Sequence, residues 1–472
     1  MKRNPFFFLS ALAFVATALI GCTEPITPDQ ETDKEDSGKT EEVELKPLTL
    51  SVPVTDNWVW ETKPAITITA QNANGVAMEA DVKVTIMTDK GKEVEVVQFK
   101  DEVPANGKKN IKVTTANELA PGFYKARCFV NKKSARSNFV FAISPEKAVS
   151  APDMQPDFDQ YWEDAKKSLP EIKEGETVTM TEVASKSSTK RKVYLVELQS
   201  APNSPDGEPV IVRGFYVEPQ DGQKHPVVMH FFGWDDRGGS VTVPSGGSGD
   251  YAEFYLSTRG QYHNNRAASH DKDTWTLADP CTYASILNPN DKYNWFGFNF
   301  GDKDGFYYRG AFLDCVQAVR FMATRPTSDM TNLFAEGSSQ GGALSYACAA
   351  LSDYPFTAIA CNVAFLGDYP DYFKIVSWPG NVAKENQGTM TDEEMYTFLS
   401  YYDTKNLATK ISCAVLASSG LQDGTCPPHT NFAAFNNLNT TDKEMIIDPT
   451  MGHSYPAGWS TKQSNFFKER IK

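Results

Sequence analysis

Asn332-Leu333-Phe334-Ala335-Glu336-Gly337-Ser338-Ser339-Gln340-Gly341-Gly342-Ala343 is the stretch whose reading decides the fold. Leu333-Phe334-Ala335 reads as a strand, Gly337 to Gly341 as a tight turn, and Gly342-Ala343-Leu344-Ser345-Tyr346-Ala347 as the start of a helix. Ser339 stands at the apex of the turn, with a glycine two positions to either side. A serine hydroxyl attacks only when it projects clear of the backbone, and a strained strand-to-helix turn achieves that. The glycines lack the side chains that would collide where strand and helix pack closely. The backbone N–H of Gln340, at the helix start, is placed to help hold an oxyanion. The pentapeptide also arises by chance, so its weight depends on what surrounds it.

Strands and helices alternate on both sides of this turn. Pro226 to Trp234 is an apolar run that suits a strand buried on both faces. Phe254–Thr258, Thr357–Cys361, Cys413–Ser418 and Lys443–Asp448 read as further strands. Tyr308–Thr324 reads as a helix with Phe312, Val316 and Val319 on one face, and a last helix starts near Thr461. A helix behind Pro156 and strands at Lys192–Leu198 and Val210–Val217 precede them. This spacing predicts an α/β domain over residues 146–472, a doubly wound, mainly parallel sheet with helices on both faces. In such sheets the site lies at the carboxyl ends of the strands, where Ser339 falls.

Residues 45–145 differ in texture. Leu48–Val52, Ala65–Thr69, Asp81–Ile86, Lys92–Val97, Gly122–Val130 and Asn138–Ile143 alternate with period two, which predicts a small immunoglobulin-like β-sandwich. Trp58, Trp60 and Tyr124 suit core packing better than a carbohydrate platform.

The N-terminus is basic at Lys2-Arg3, then apolar from Pro5 to Ile20, ending Leu19-Ile20-Gly21-Cys22. This predicts a secretory signal over residues 1–21 whose end is similar to a bacterial lipobox, with lipid attached to Cys22. Residues 22–44 are acidic and lack apolar periodicity, as in a solvated tether. The expected location is the bacterial cell envelope, with the lipid in the outer membrane. The 472 residues carry a formal net charge of −14, which argues against nucleic acid as a partner. Seven cysteines besides Cys22 show no metal-ligand spacing, and neither metal nor cofactor is expected.

A nucleophilic serine needs a base, and the base needs an acid to fix its tautomer. On elbows of this kind the chain order is serine, acid, histidine. Of six histidines only His429 and His453 follow Ser339. His453 lies in the loop after the last strand, where the base belongs; His429, behind Pro427-Pro428, reads as a surface helix position. Asp423 follows the penultimate strand and is the favoured acid, while Asp368 and Asp371 satisfy the order but follow an earlier strand. The backbone N–H of Trp234, ending its strand beside Gly233, is the second oxyanion donor by position. Arg259 and Gln261 are either substrate ligands or loop braces.

These residues together resemble carbohydrate esterase family seven, the acetyl xylan esterases and cephalosporin-C deacetylases of the α/β-hydrolase superfamily. The resemblance rests on Arg259-Gly260-Gln261, Gly337-Ser338-Ser339-Gln340-Gly341-Gly342 and Gly452-His453. It extends to Pro156–Trp162, Tyr307–Asp314 and Gly420–Pro428, and covers residues 150–472 or so. It implies Ser339 as nucleophile, Asp423 as orienting acid, His453 as base, and Gln340 and Trp234 as oxyanion donors. Arg259, Gly260 and Gln261 are then motif residues of structural value. Four positions depart from the pattern: Ser338 replaces a glycine, Ser454 a glutamate, Trp234 a tyrosine, and Tyr262 stands where glycine is common. Family members often form ring-shaped hexamers; the added β-domain and tether bear on that here. The expected activity is removal of acetyl groups from carbohydrate, of the acetyl xylan or xylo-oligosaccharide type, through an acetyl-enzyme. The rivals are a prolyl-oligopeptidase-like peptidase or another carboxylesterase on the same fold, and a catalytically inactive glycan-binding lipoprotein.

Overall fold

The computed structural model describes residues 44–204, 207–234, 243–244, 249–259 and 295–472. Cys22, the expected N-terminal signal, Gly260, Gln261 and Tyr262 lie outside the described residues. Lys46–Lys472 forms one compact unit. Among the described residues, no helix is long and apolar enough to cross a membrane.

The N-terminal strands are β1 (Thr49–Ser51), β2 (Val59–Trp60), β3 (Ile66–Gln71), β4 (Met78–Thr88), β5 (Glu93–Val103), β6 (Lys108–Val113), β7 (Gly122–Val130) and β8 (Lys133–Ile143). They form a three-stranded sheet, β1-β3-β6, and a five-stranded sheet, β2-β8-β7-β4-β5. Alternate residues of the strands turn inward, Ala80, Val82, Val84 and Ile86 of β4 meeting Ile66, Ile68, Ile111 and Val113 of the other sheet. Trp58 is fully buried with its ring 4.7 Å from that of Phe139. Tyr124 stacks on Phe141, so both aromatics serve the core. That core is completed from outside: Leu421 and Phe432, some three hundred residues later, belong to the same buried cluster.

Nine further strands follow: β9 (Val178–Glu182), β10 (Arg191–Ser200), β11 (Val210–Pro219), β12 (His225–Phe231), β13 (Ala252–Ser257), β14 (Ser328–Ser338), β15 (Ala358–Asn362), β16 (Ala414–Gly420) and β17 (Lys443–Asp448). They form one sheet in the order β17-β16-β15-β14-β12-β13-β11-β10-β9. Neighbours from β17 through to β13 pair in parallel, and β9, β10 and β11 add antiparallel pairs at the other end. The principal helices are α1 (Phe158–Lys166), α2 (Tyr307–Ala323) and α3 (Gln340–Leu351). The expected strand at Pro226–Trp234 ends at Phe231, leaving Phe232-Gly233-Trp234 as irregular chain.

Register fixes what meets at the carboxyl rim. Phe231 pairs with Gly337, Ser338 with Asn362, Asn362 with Ser418, and Gly420 with Asp448. Four strand ends therefore deliver the elbow, Asn362, the Asp423 loop and the His453 loop side by side.

Candidate active site

Ser339 links β14 to α3 at φ 58°, ψ −118°, outside the regions an L-residue prefers. Such a conformation costs roughly 1–3 kcal/mol and persists only where its surroundings impose it. Here they do. The Ser339 N–H donates to the Asn362 carbonyl at 2.9 Å, and its own carbonyl accepts from Ala343 and Phe365. A Cβ on Gly337 would lie 2.2 Å from the Gly341 backbone, and one on Gly341 would lie 2.2 Å from the Phe231 carbonyl oxygen. Only glycine permits strand and helix to close this far. Gly233 also abuts the elbow, since a Cβ there would sit 3.9 Å from that of Ser339. The segment carrying the Trp234 N–H is thus beside the serine, while the Gln340 N–H opens α3.

The structure brings Asp423 and His453 together. His453 Nδ1 lies 2.8 Å from Asp423 Oδ2, and the Asp423 side chain is wholly buried while His453 stays partly open to solvent. A carboxylate only accepts, so this contact places the proton on Nδ1 and leaves Nε2 as the basic nitrogen. The other carboxylate oxygen accepts the N–H groups of Thr425 and Cys426, each at 2.8 Å. The Cys426 thiol is buried close by; burial first, then the Asp423 charge, raises its pKa well above that of a free thiol and keeps it protonated. Asp371, one alternative acid, pairs instead with Lys90 and Lys374. Asp368, the other, pairs with Lys405 and His429.

Ser338 and Asn362 supply a link that the sequence does not reveal. The Asn362 amide donates to the Ser338 hydroxyl at 2.7 Å and to the Ser454 carbonyl at 3.1 Å, and its oxygen accepts from Ser418. One fully buried side chain therefore ties the residue before the serine to the residue after the histidine. An aromatic wall was also missed. Phe365, whose N–H holds Ser339, stacks on Trp378 at 5.2 Å, and Trp234 meets both edge-on. Neither Phe365 nor Trp378 carries a motif signal, because the wall exists only once loops after different strands converge.

Arg259 is a brace. It forms a fully buried pair with Asp314, Nε at 2.8 Å, and also donates to Asn203 and the Ala201 carbonyl. The α2 backbone at Gly310 packs directly on its guanidinium. Gln261, its motif companion, lies outside the described residues.

His429 corrects the surface-helix expectation. Its Nδ1 meets Asp89 at 2.7 Å and its Nε2 meets Asp368 at 3.2 Å. Burial pulls its pKa down, but the two carboxylates outweigh that and raise it to about 9. Asp368, Asp371 and His429 hold ligand-type atoms within 4.8 Å of one another. With both ring nitrogens on carboxylates the ring has no lone pair for a metal, and Lys90 and Lys405 already neutralise Asp371 and Asp368. His230, near the expected oxyanion strand end, points elsewhere, to Glu336 at 2.6 Å and Glu253 at 3.2 Å. Burial opposes its protonation and these bonds prevail, raising its pKa to about 9.

The sequence model of the acetyl xylan esterase family matches residues 147–471. Acetyl esterase Axe7A of Xylanibacter ruminicola is 27% identical over 368 residues, 76% of this chain and 76% of that protein. Among solved structures, an acetyl xylan esterase from Paenibacillus sp. R4 superposes with a TM-score of 0.56 at 24% identity, covering 69% of this chain and 98% of that one. Acetyl xylan esterase 1 from a Thermoanaerobacterium species gives 0.53 at 23% identity, with the same coverage. At these identities the superpositions speak for the fold.

Proposed function

Since the chain belongs to the acetyl xylan esterase family, and so is a carboxylic ester hydrolase, we propose that it removes acetyl groups from acetylated xylan or xylo-oligosaccharide by a serine mechanism. The observation that carries this reading is the buried Asp423 bonded to His453 Nδ1 at 2.8 Å, on the strand ends beside the strained Ser339.

In this reading the Ser339 hydroxyl attacks the acetyl carbonyl and passes its proton to His453 Nε2. Asp423 holds the imidazole in the required tautomer and stabilises the imidazolium. The backbone N–H groups of Gln340 and Trp234 receive the oxyanion, a contribution worth roughly 3–4 kcal/mol for a single donor in comparable sites. His453 then protonates the departing sugar oxygen, and water repeats the sequence on the acetyl-enzyme. The wall of Phe365, Trp378 and Trp234 limits the acyl group to a small one.

The test is acetate release from acetylated xylo-oligosaccharide by wild type and Ser339→Ala, with fluorophosphonate labelling in parallel. Wild-type release and labelling, both lost in the variant, are expected. Release that survives Ser339→Ala overturns the serine mechanism, and labelling without acetate release from any acetylated glycan overturns the substrate class. Lipid attachment at Cys22 in the bacterial outer membrane belongs to the same proposal and rests on the sequence. Palmitate incorporation in the native host, abolished by Cys22→Ala, is expected; incorporation that persists in the variant overturns it.

A further inference from the structure

The loop from Leu421 to His429 carries Asp423, and several of its fixed points lead to the β-sandwich or to the histidine loop, beside others within the esterase half such as the Tyr372 hydroxyl on the Thr425 carbonyl and Asp368 on His429. Leu421 is fully buried in the sandwich core. The side chain of Gln422 acts like an added strand residue: its Oε1 accepts the Val140 N–H of β8 at 3.0 Å, and its Nε2 donates to the Val140 carbonyl at 2.9 Å. The same Nε2 also donates to the Pro449 carbonyl at 2.8 Å, on the loop that leads to His453. At the far end of the loop, His429 bonds to Asp89 next to the end of β4, and Phe123 of β7 packs on its ring. Lys90 adds an ion pair to Asp371. Asp423 sits between these anchors, one residue past Gln422.

We propose that the β-sandwich is a buttress of the catalytic acid, and that Gln422 is a positioning residue through which β8 holds the Asp423 and His453 loops in register. This rests on the serine mechanism proposed above. Two features favour it over a detached glycan-binding module. The Gln422 amide engages both polar groups of a single β8 residue and a third on the histidine loop, so all three of these groups are satisfied by one side chain. Of the aromatics that would make a sugar platform, Trp58 and Tyr124 are buried in the sandwich core, and half-buried Trp60 packs edge-on against Phe141 of the same core. A displacement on the order of 1 Å at a catalytic group lowers turnover by up to about a hundredfold, so modest slack at Gln422 is visible in kcat.

The full chain is assayed with 4-nitrophenyl acetate, a substrate too small to need the sandwich for binding. Gln422→Ala is expected to lower kcat by roughly tenfold or more with KM within about twofold. The rate of fluorophosphonate labelling at Ser339 is expected to fall in parallel. Gln422→Glu keeps the acceptor for the Val140 N–H and is expected to fall between Ala and wild type. Ile68→Val, in the three-stranded sheet, is a control for general loosening of the sandwich, with kcat expected to stay at the wild-type value. Wild-type kcat in Gln422→Ala, with Ser339→Ala inactive, overturns the buttress and leaves the serine mechanism standing. Equal losses in Ile68→Val and Gln422→Ala also overturn it. Activity that survives Ser339→Ala removes the mechanism and this inference together.

Discussion

Asn362 is the residue on which elbow and histidine loop converge, and its loss is felt at both. Asn362→Ala removes three side-chain hydrogen bonds and leaves the Ser418 hydroxyl without its buried partner. A buried polar group left unpaired costs about 1–3 kcal/mol. The variant is expected to melt earlier and to lose about tenfold in kcat, the scale set by small misplacement of reacting groups, as measured by calorimetry and steady-state acetate release. Ser338 gains a reason through the same bond: its hydroxyl accepts from Asn362 where a glycine at that position would offer nothing. Trp378 tests the acyl wall. Trp378→Ala opens space next to Phe365 and Trp234. The ratio of kcat/KM for butyryl over acetyl esters is expected to rise by roughly 10-fold or more, the discrimination an apolar pocket gives per methylene or two.

At the scale of elements, the Leu421–His429 loop is stabilised by a core that is not its own. Leu421→Ala is expected to cost about 2–5 kcal/mol, as for other buried leucines, seen as a lower denaturant midpoint. The elements themselves were largely open to reading. β4 and β7 alternate apolar and polar residues along their length, and the β17 limits follow directly from the run Lys443–Asp448. β6 escaped because Lys108, Lys109, Asn110 and Lys112 leave only Ile111 and Val113 as inward apolar residues. The polar start of β14, Ser328 to Asn332, hid the first five of that strand's 11 residues for the same reason. The placement of Ser339, Asp423 and His453 at neighbouring strand ends was legible because each follows a strand. Asn362, Trp378 and the Gln422–Val140 pairing were not, since the last joins residues 282 positions apart and period carries no such information. His429 was misjudged for that reason too, its cover being the sandwich residue Asp89.

For the molecule as a whole, two partly buried imidazoles set a pH dependence. His429 and His230 each have a folded pKa raised to about 9, through Asp368 and Asp89 in one case and Glu253 and Glu336 in the other. A raised folded value means the folded state holds the proton more tightly than the unfolded chain does. Their stabilisation is therefore complete below about pH 6.5, the unfolded value, and is lost as pH rises through about 9. The melting temperature is expected to fall across that window, with His429→Gln lowering it below pH 6.5 and flattening its decline. Leu421 and Phe432 lie in the esterase half of the chain yet fill the interior of the N-terminal sandwich, so neither part can melt and leave the other intact. Scanning calorimetry of the full chain is expected to give one transition, and a second peak would contradict this. Recombining the sandwich with the catalytic half of a relative would leave both with mismatched interiors. A graft of the sandwich onto another catalytic half is therefore expected to need counterparts of Leu421 and Phe432 carried with it.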